Sequence, residues 1–366
     1  MNPQFDLIIV TADEPYEGLS HTQILFANYL SRSTDLIFIE APGPWHPFKL
    51  FRRRKIKELI KEKPQVLPYF NLLPVKFPFG TRVNEYLLDK TIRQLIRRFQ
   101  KKKILIWHFD SYRSELKNTS FETGSHITHL YHVIDPFYTN PIDVVLRRIS
   151  QLIIITSPHI ANYYQDQSEK MRLLPQCVDL QECRRLLALP VLRPVPEQAY
   201  FMLLGTLSDD LDFQLLKKIA DLAPILIGGK VVVMPKKEKQ YRELLQHKNI
   251  HYLGLLSPEI FYPLLKRATA GIISYDISIR NRPFSPLKAV NYLLAGIPVV
   301  SNCRTELESL QDCAVYERPL APDFLATCGL SLKGELLIDK GKLAAYAESI
   351  SMEKAIVQIF TELRKD

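Results

Sequence analysis

The chain alternates short runs of apolar residues with longer segments in which apolar residues recur every three or four positions. In the first half, apolar runs at 5–10 and 36–40 enclose a segment of helical spacing at 21–30. Further apolar runs follow at 104–107, 130–134, 151–156 and 171–174. Short apolar runs are typical of buried strands, and spaced apolar residues are typical of amphipathic helices. This order of elements predicts a doubly wound parallel α/β sheet.

The same alternation restarts near residue 200. Apolar runs predict strands at 200–204, 225–227, 231–234, 250–253 and 271–275. Between the two halves, segment 189–197 contains three prolines and no periodicity, which is typical of an interdomain linker. At 366 residues the chain is long enough for two cores. We therefore predict an N-terminal Rossmann-like domain at 1–188, the linker at 189–197, a C-terminal Rossmann-like domain at 198–343 and a long final helix within 344–366.

Residues 285–301, SPLKAVNYLLAGIPVVS, predict a helix that leads into a buried strand. Ser285 is a favourable N-cap, and Pro286 suits the first helical turn. Gly296 provides the left-handed stop before the strand. Lys288, in the first turn, is unfavourable for the helix alone, so it indicates an anion bound at the helix N-terminus. The alternative is a solvated lysine on an ordinary surface helix.

The motif Pro-x-Lys-x-x-Asn-Tyr-Leu-x-Ala-Gly-x-Pro-Val-Val in this stretch resembles the donor-site signature of GT-B glycosyltransferases. It is most similar to the family 4-like bacterial enzymes that build cell-surface polysaccharides. The resemblance implies two Rossmann-like domains facing across a cleft, with the C-terminal helix crossing back to the first domain. The sequence departs from the family at Pro283 and Asn291, where the family has glutamates. The second of these glutamates binds the ribose of the nucleotide sugar, and asparagine can still hydrogen-bond a hydroxyl.

The resemblance assigns the nucleotide-sugar donor to the second domain. Three cations next to a helix N-terminus would neutralise the leaving diphosphate, so a metal ion is not needed for that task. Asn291 would hold the ribose, and the backbone that follows one strand would hold the base. The predicted donor-binding residues are Lys288, Asn291, Arg280, Arg282, Ser285, Pro286, Gly205, Gly254 and Leu255. For the two arginines, a solvated basic loop is the alternative.

The first domain is expected to hold the acceptor. Ligands of such sheets gather at the carboxyl ends of strands, which places Glu14 and Gly18 in an acceptor-side loop, with His21 at the following helix start. Asp135 ends the strand of HLYHVIDPF. The resemblance implies that Asp135, with His21, faces the reacting sugar, and that the transfer retains the sugar's configuration. The alternatives are a turn or N-cap aspartate and a capping histidine.

Positive charge is concentrated in two segments. Segment 49–63 has eight Lys or Arg against two Glu, segment 90–103 has seven against none, and the net charge of the chain is +9. Both segments also carry aliphatic residues at helical spacing, and we predict a helix at 85–99. This pattern favours an anionic membrane surface over two solvated helix faces. The sequence contains no aromatic and basic platform for single strands and no known DNA-reading motif, so nucleic acid is not an expected partner.

The five cysteines include no metal-binding spacing, and we expect free thiols. No apolar stretch is long enough for a membrane span, and the N-terminus has no pattern of a secretory signal. We therefore expect a cytoplasmic protein, peripheral at the inner face of the plasma membrane, with no cofactor besides its nucleotide-sugar co-substrate.

The resemblance, together with the basic segments, implies a metal-independent, hexosyltransferase-like glycosyltransferase that moves a sugar from a UDP- or GDP-sugar to a lipid-linked or polysaccharide acceptor in cell-surface glycan synthesis. Two alternatives remain open. The first is a non-catalytic GT-B relative that binds a nucleotide or a glycan, which the residues Pro283 and Asn291 favour. The second is a nucleotide-sugar epimerase, which needs no acceptor surface.

Overall fold

The computed structural model describes residues 5–16, 21–41, 64–67, 72–74, 77, 79–98, 103–109, 126–134, 141–192, 195–232, 236–278 and 286–364. The chain forms two compact units, each built on one parallel sheet. The first unit comprises residues 1–17, 21–175 and 355–366, and the second comprises residues 18–20 and 176–354.

The first unit has a seven-stranded sheet of order β3-β2-β1-β4-β5-β6-β7, in which all neighbouring strands are parallel. Its strands are β1 (Leu7–Thr11), β2 (Asp35–Ile39), β3 (Gln65–Leu67), β4 (Ile104–His108), β5 (Ile127–Val133), β6 (Leu152–Ile155) and β7 (Met171–Leu173). Its helices before residue 176 are α1 (Thr22–Leu30), α2 (Gly80–Arg98), α3 (Pro141–Ile149) and α4 (Pro158–Ala161). Every residue of β1 and β4 is buried, as expected for strands covered on both faces.

The second unit has a six-stranded parallel sheet of order β10-β9-β8-β11-β12-β13. Its strands are β8 (Phe201–Leu204), β9 (Ile225–Gly228), β10 (Ile250–Tyr252), β11 (Ala270–Ile273), β12 (Val299–Ser301) and β13 (Val315–Glu317). Its helices are α5 (Leu180–Leu187), α6 (Phe213–Leu222), α7 (Glu238–Leu245), α8 (Pro258–Leu265), α9 (Leu287–Leu294), α10 (Ala321–Leu332) and α11 (Lys340–Ser349), while α12 (Met352–Glu362) begins in this unit and ends in the first. The strand order reverses between β8 and β11, and ligands of such sheets bind at this point.

Helix α9 is fastened to the carboxyl end of β8 by Tyr292. This side chain is fully buried, and its hydroxyl oxygen accepts a hydrogen bond of 2.8 Å from the Leu204 backbone N–H. The ring lies on Gly271 of β11, where an added Cβ would stand 2.1 Å from ring carbons. Only glycine allows this approach, so α9 has a fixed position over the centre of the sheet.

Two predicted helices have different limits in the structure. The helix predicted from residue 85 is α2, and it begins at Gly80 because Asn84 anchors its first turn. The Asn84 side chain is buried and binds the backbone of Leu72 and Leu73 through three hydrogen bonds of 2.7–3.1 Å. The helix predicted to begin at Pro286, with Ser285 as its N-cap, begins one residue later, at Leu287, and Pro286 is its extended N-cap.

The single long helix predicted near the C-terminus is wrong, because the structure has two helices, α11 and α12. Between α11 and α12, Ser351 forms an isolated parallel β-bridge with Val178. The Val178 N–H donates to the Ile350 carbonyl at 3.0 Å, and the Met352 N–H donates to the Val178 carbonyl at 2.8 Å. These backbone groups are therefore used outside the helix, which ends α11. Of the strand predicted at 231–234, the described residues form a single bridge between Val231 and Leu207.

The limits of the compact units also differ from the predicted domain boundaries. Residues 176–188 belong to the second unit, where α5 packs on α8. Residues 355–366 belong to the first unit, in which Glu362 forms an ion pair with Arg172 at 2.8 Å. Among the described residues, no helix is both long and apolar enough to cross a membrane. All five cysteines are free, as predicted.

Candidate functional site

Three glycines line the carboxyl edge of the second sheet. Gly205 follows β8, Gly229 follows β9 and Gly254 follows β10. They are linked in a row: the Gly205 N–H donates to Gly228, and the Gly229 N–H donates to Gly254, at 2.9 and 2.8 Å. An added Cβ on Gly229 would lie 1.8 Å from the Gly205 carbonyl oxygen, while one on Gly254 would meet no described atom within 4 Å. The edge is therefore closely packed at Gly229 and open at Gly254.

Lys288 extends from the first turn of α9 to this edge. A Cβ on Gly205 would lie 2.9 Å from its Nζ atom. Gly205 has a φ of +120°, a conformation that L side chains rarely adopt, so glycine is required there both for its backbone and for the lysine. The sequence predicted both residues at the donor site, and the structure brings them together.

Tyr275, two residues beyond β11, orients the Lys288 ammonium. Its hydroxyl accepts a hydrogen bond of 3.0 Å from Nζ, which also lies 4.9 Å from the ring centroid. Tyr275 is itself held by the buried side chain of Asn302. The Tyr275 N–H donates to Asn302 Oδ1 at 2.9 Å, and Asn302 Nδ2 donates to the Tyr275 carbonyl at 2.7 Å. The cation therefore has a supported position rather than a freely rotating one.

A second lysine ties together the loops around the same edge. Lys237 Nζ donates to Asp276 Oδ2 at 2.7 Å and to the Leu211 carbonyl at 2.9 Å, and its N–H donates to Asp209 at 3.2 Å. The hydrogen bond from Lys237 is the largest of the effects that lower the pKa of Asp276. Because Asp276 adjoins Tyr275, these contacts also fix the residue that orients Lys288.

Asn291 lies in a buried chain of hydrogen bonds and is only 5% exposed. The Tyr262 hydroxyl donates to Asn291 Oδ1 at 2.9 Å, and the Cys183 sulfur lies 3.1 Å from the same hydroxyl oxygen. Burial raises the pKa of Cys183 to about 11 and that of Tyr262 well above its ordinary value, so both groups are neutral donors at pH 7. Asn291 Oδ1 therefore already accepts one hydrogen bond, from Tyr262, before any ribose binds.

Of the other predicted donor residues, one lies at the start of α9 and one follows β10. The rest are not among the residues that the structure describes. Pro286 is the N-cap of α9, and its φ of −80° and ψ of 122° mark the helix start. Leu255 is 49% exposed and follows the open Gly254. Predicted site residues that lie outside the part of the chain that the structure describes are Arg280, Arg282, Ser285, Gly18 and Asp135.

The predicted acceptor-side residues lie at the carboxyl edge of the first sheet. His21 is the N-cap of α1, without a side-chain capping bond, and Glu14 lies in the loop after β1. Gln23 fixes this loop by donating to Asp13 Oδ1 at 2.6 Å. Glu40, beyond β2, accepts a hydrogen bond of 2.8 Å from the Tyr16 N–H. The loop backbone is therefore held by residues from two neighbouring elements.

Sequence reasoning missed Tyr275, Asn302 and Lys237. Tyr275 ends the strand predicted at 271–275, and Lys237 lies outside every predicted element. Only the positions of Tyr275 and Asn302 in the sequence could have indicated that they lie close together. Both lie at the ends of apolar runs, and the carboxyl ends of parallel strands share one edge of a sheet. Among the residues that the structure describes, no group of three or more His, Cys, Asp or Glu side chains is arranged to hold a metal ion.

The two parallel sheets and their helices define the class: the chain has the GT-B fold. It matches the solved lipopolysaccharide outer core galactosyltransferase WaaB in its apo form, with a TM-score of 0.61, 12% identity and coverage of 98% of this chain and 99% of that one. It also matches Anabaena HepE in complex with UDP-glucose, with a TM-score of 0.65, 14% identity and coverage of 98% and 100%. At such identities the likeness shows the fold alone.

One curated relative is similar in sequence. It is the "Putative teichuronic acid biosynthesis glycosyltransferase TuaH" of Bacillus subtilis (strain 168), 28% identical over 134 residues. The match covers 34% of this chain and 32% of the relative, so the chain spans about a third of the length of the relative it matches. No protein-family model matches the sequence.

Proposed function

We propose that the chain is a glycosyltransferase that moves a hexosyl group from a UDP- or GDP-sugar to a lipid-linked or polysaccharide acceptor, with retention of configuration, in cell-surface glycan synthesis. The observation that carries the proposal is the Lys288 ammonium, held by Tyr275 beside Gly205 at the reversal point of the second sheet. A fixed cation at this edge suits the diphosphate of a nucleotide sugar, which becomes the leaving group. The TuaH similarity and the fold of HepE, solved with UDP-glucose, support it.

The donor would lie along the row of glycines. At Gly254 the absence of a side chain leaves the backbone open to close approach by a ligand, and at Gly205 a ligand would meet the Lys288 ammonium. We assign the base to the backbone of Gly254 and Leu255 and the ribose to Asn291. We assign charge neutralisation to Lys288 with Arg280 and Arg282, next to Ser285 and Pro286, which would make a metal ion unnecessary for this task.

The acceptor would lie at the carboxyl edge of the first sheet. We assign Glu14 and Gly18 to the loop whose backbone the acceptor approaches. We assign Asp135 and His21 to the position that faces the reacting sugar. The basic segments 49–63 and 90–103 would place the enzyme on the inner face of the plasma membrane, next to a lipid-linked acceptor. Segment 49–63 lies outside the described residues, and much of segment 90–103 lies in α2.

A second candidate is a GT-B relative that binds a nucleotide or a glycan without turnover. The contact between Asn291 and Tyr262 favours it, because the residue expected to hold the ribose already has a buried partner. Both candidates predict nucleotide binding through Lys288. They differ in whether the sugar leaves the nucleotide.

The test is a transfer assay with labelled UDP- and GDP-sugars and a bacterial membrane extract as the source of acceptor. The proposal predicts release of the nucleoside diphosphate together with label in the lipid or polysaccharide fraction, and loss of both in Lys288→Ala. Binding without release would support the non-catalytic relative. Conversion of the sugar without any acceptor would identify an epimerase, and either result would overturn the transferase.

A further inference from the structure

Asn291 lies one turn beyond Lys288 on helix α9. Residues three positions apart are neighbours on the same side of a helix. The Lys288 ammonium stands beside Gly205 at the carboxyl edge of the second sheet, where the Tyr275 hydroxyl accepts its hydrogen bond at 3.0 Å. A nucleotide whose diphosphate meets Lys288 would therefore have its pentose close to the turn that carries Asn291.

The orientation of the Asn291 amide is fixed from α8. The Tyr262 hydroxyl donates to Asn291 Oδ1 at 2.9 Å, and the Cys183 sulfur lies 3.1 Å from the same hydroxyl oxygen. Burial raises the pKa of Tyr262 well above its ordinary value, so this hydroxyl keeps its proton at pH 7. Oδ1 is therefore directed toward α8, and Nδ2 is the atom of the amide that remains for other contacts.

The Nδ2 atom of Asn291 carries two N–H groups. Among the residues that the structure describes, Tyr262 is the hydrogen-bond partner of this side chain, and it uses Oδ1 alone. Asn291 is buried, and buried amide donors in folded proteins normally have an acceptor. These N–H groups next to the lysine therefore indicate a ligand that supplies oxygen acceptors.

A carboxylate and an amide recognise the hydroxyls of a ribose differently. A carboxylate can accept a charge-assisted hydrogen bond from each of two hydroxyls, so loss of one hydroxyl weakens binding about ten- to hundredfold. An amide N–H donates to a hydroxyl oxygen in a neutral hydrogen bond, whose loss weakens binding about two- to tenfold. A site that uses an amide nitrogen therefore discriminates only weakly between ribose and deoxyribose.

We infer that the donor site accepts nucleoside diphosphates of ribose and of 2′-deoxyribose alike, because Asn291 Nδ2 holds the pentose through a neutral hydrogen bond. The site would then select the donor by its base and its diphosphate, and dTDP-sugars would belong to the donor class together with UDP- or GDP-sugars. The inference rests on the proposed function, since it concerns the pentose of the nucleotide whose diphosphate Lys288 binds.

The first test is isothermal titration of the full chain with UDP, 2′-deoxy-UDP and 3′-deoxy-UDP, and with the corresponding guanosine diphosphates. For the base that binds, each deoxy analogue should have a dissociation constant at most about tenfold above that of the ribonucleotide. A larger ratio would overturn the inference and leave the proposed function standing. No binding of any of these nucleotides would contradict both.

The variant Asn291→Asp tests which atom faces the pentose. Aspartate has the same shape and keeps an oxygen for the Tyr262 hydroxyl, but it replaces the N–H donor with a charged acceptor. Repulsion between this charge and the diphosphate is common to all the nucleotides, so it cancels in the ratio of dissociation constants. For at least one deoxy analogue the ratio should rise about tenfold. Unchanged ratios would show that Asn291 does not contact the pentose and would overturn the inference.

The matched control is Asn162→Asp. Asn162 is the exposed C-cap of α4 in the first unit, and none of the proposed donor residues belongs to that unit. Its ratios should equal those of the unsubstituted protein. An equal rise in both variants would show an effect of net charge alone and would contradict the role of Asn291. If Asn291→Asp does not fold, the ratios of the unsubstituted protein still decide the question.

Discussion

At the scale of single residues, the proposed diphosphate site depends on how Lys288 is held. A lysine ammonium on a flexible stem loses side-chain entropy when it binds a ligand. Here Tyr275 meets the ammonium with its hydroxyl and its ring, and Asn302 fixes the Tyr275 backbone. Lys288 therefore loses part of this side-chain entropy when the protein folds, before any ligand binds.

The variant Tyr275→Phe should weaken binding of the nucleotide diphosphate about two- to tenfold, because it removes one hydrogen bond of about 0.5–1.5 kcal/mol and leaves the ring in place. Isothermal titration measures this change, and the thermal midpoint should stay nearly constant. Tyr316→Phe is the matched control, since Tyr316 also has a cation over its ring, Arg318 at 5.7 Å. Equal affinity of Tyr275→Phe and the unsubstituted protein would show that Tyr275 does not position the lysine.

Sequence reasoning reached Lys288 and Gly205 but missed Tyr275 and Asn302, and the difference is physical. A lysine in the first turn of a helix conflicts with the helix dipole, and this conflict can be read locally. The pair of Tyr275 and Asn302 is separated by 27 positions and is joined through side-chain and backbone contacts that no periodicity records. The Tyr262 contact of Asn291 escaped prediction for the same reason.

At the scale of elements, the position of α9 depends on Tyr292 and Gly271. Gly271→Ala should destabilise the protein by about 1–3 kcal/mol or more, because the new methyl group would overlap the Tyr292 ring. Gly329→Ala, in α10, is the matched control, since its added Cβ would meet no described atom within 4 Å. The control should be neutral or stabilising by up to about 1 kcal/mol. Urea unfolding measures both changes, and equal stabilities would contradict the packing described for α9.

A companion variant tests the hydrogen bond between α9 and β8. Tyr292→Phe removes the acceptor of the Leu204 N–H and leaves a buried donor without its partner. We expect a loss of about 1–3 kcal/mol in the free energy of unfolding. An unchanged free energy of unfolding in urea would show that the bond does not hold α9 to the strand.

Most elements could be predicted from the sequence because parallel strands are continuous apolar runs, and β1, β4 and β11 overlap such runs within one or two residues at each end. The sequence could not predict where a helix begins or ends when contacts with distant residues decide it. Asn84 starts α2 early by binding residues outside the helix, and Val178 divides the expected final helix by taking its backbone hydrogen bonds. Both effects come from tertiary partners that a local pattern does not contain.

At the scale of the whole molecule, buried histidines make the first unit sensitive to acid. His132 is surrounded by Phe26, Trp107 and Phe109, with ring centroids 4.8–6.1 Å away, and neither ring nitrogen has a hydrogen-bond partner among the described residues. Burial lowers the pKa of His132 to about 3, and it lowers that of His129 to about 4. Both histidines are therefore neutral in the folded protein at pH 7.

Unfolding returns the pKa of each histidine to its ordinary value of 6.5. At pH values between the lowered pKa and 6.5, the unfolded chain therefore binds more protons than the folded protein does. The free energy of unfolding should therefore be highest above pH 6.5 and fall as the pH decreases toward 4, by up to about 1.4 kcal/mol per pH unit for each group. His132→Phe should reduce this slope, and His251→Gln, at an exposed position of β10, should not. Denaturant unfolding across the pH range measures it, and an unchanged slope in His132→Phe would contradict the assignment.

The central claim is that the carboxyl edge of the second sheet binds the diphosphate of a nucleotide sugar through Lys288. The most direct measurement is a thermal-shift series with UDP, GDP, dTDP and their sugars. The variant for comparison is Lys288→Ala. Lys266→Ala is the control, because this exposed lysine follows α8 at the opposite edge of the sheet.

Ligand binding to the folded state stabilises it by about 2.7 kcal/mol at a hundredfold excess over the dissociation constant, so a clear rise of the midpoint is expected. We expect this rise with at least one nucleotide for the unsubstituted protein and for Lys266→Ala, and its loss in Lys288→Ala. No rise with any nucleotide, or a full rise in Lys288→Ala, would contradict it.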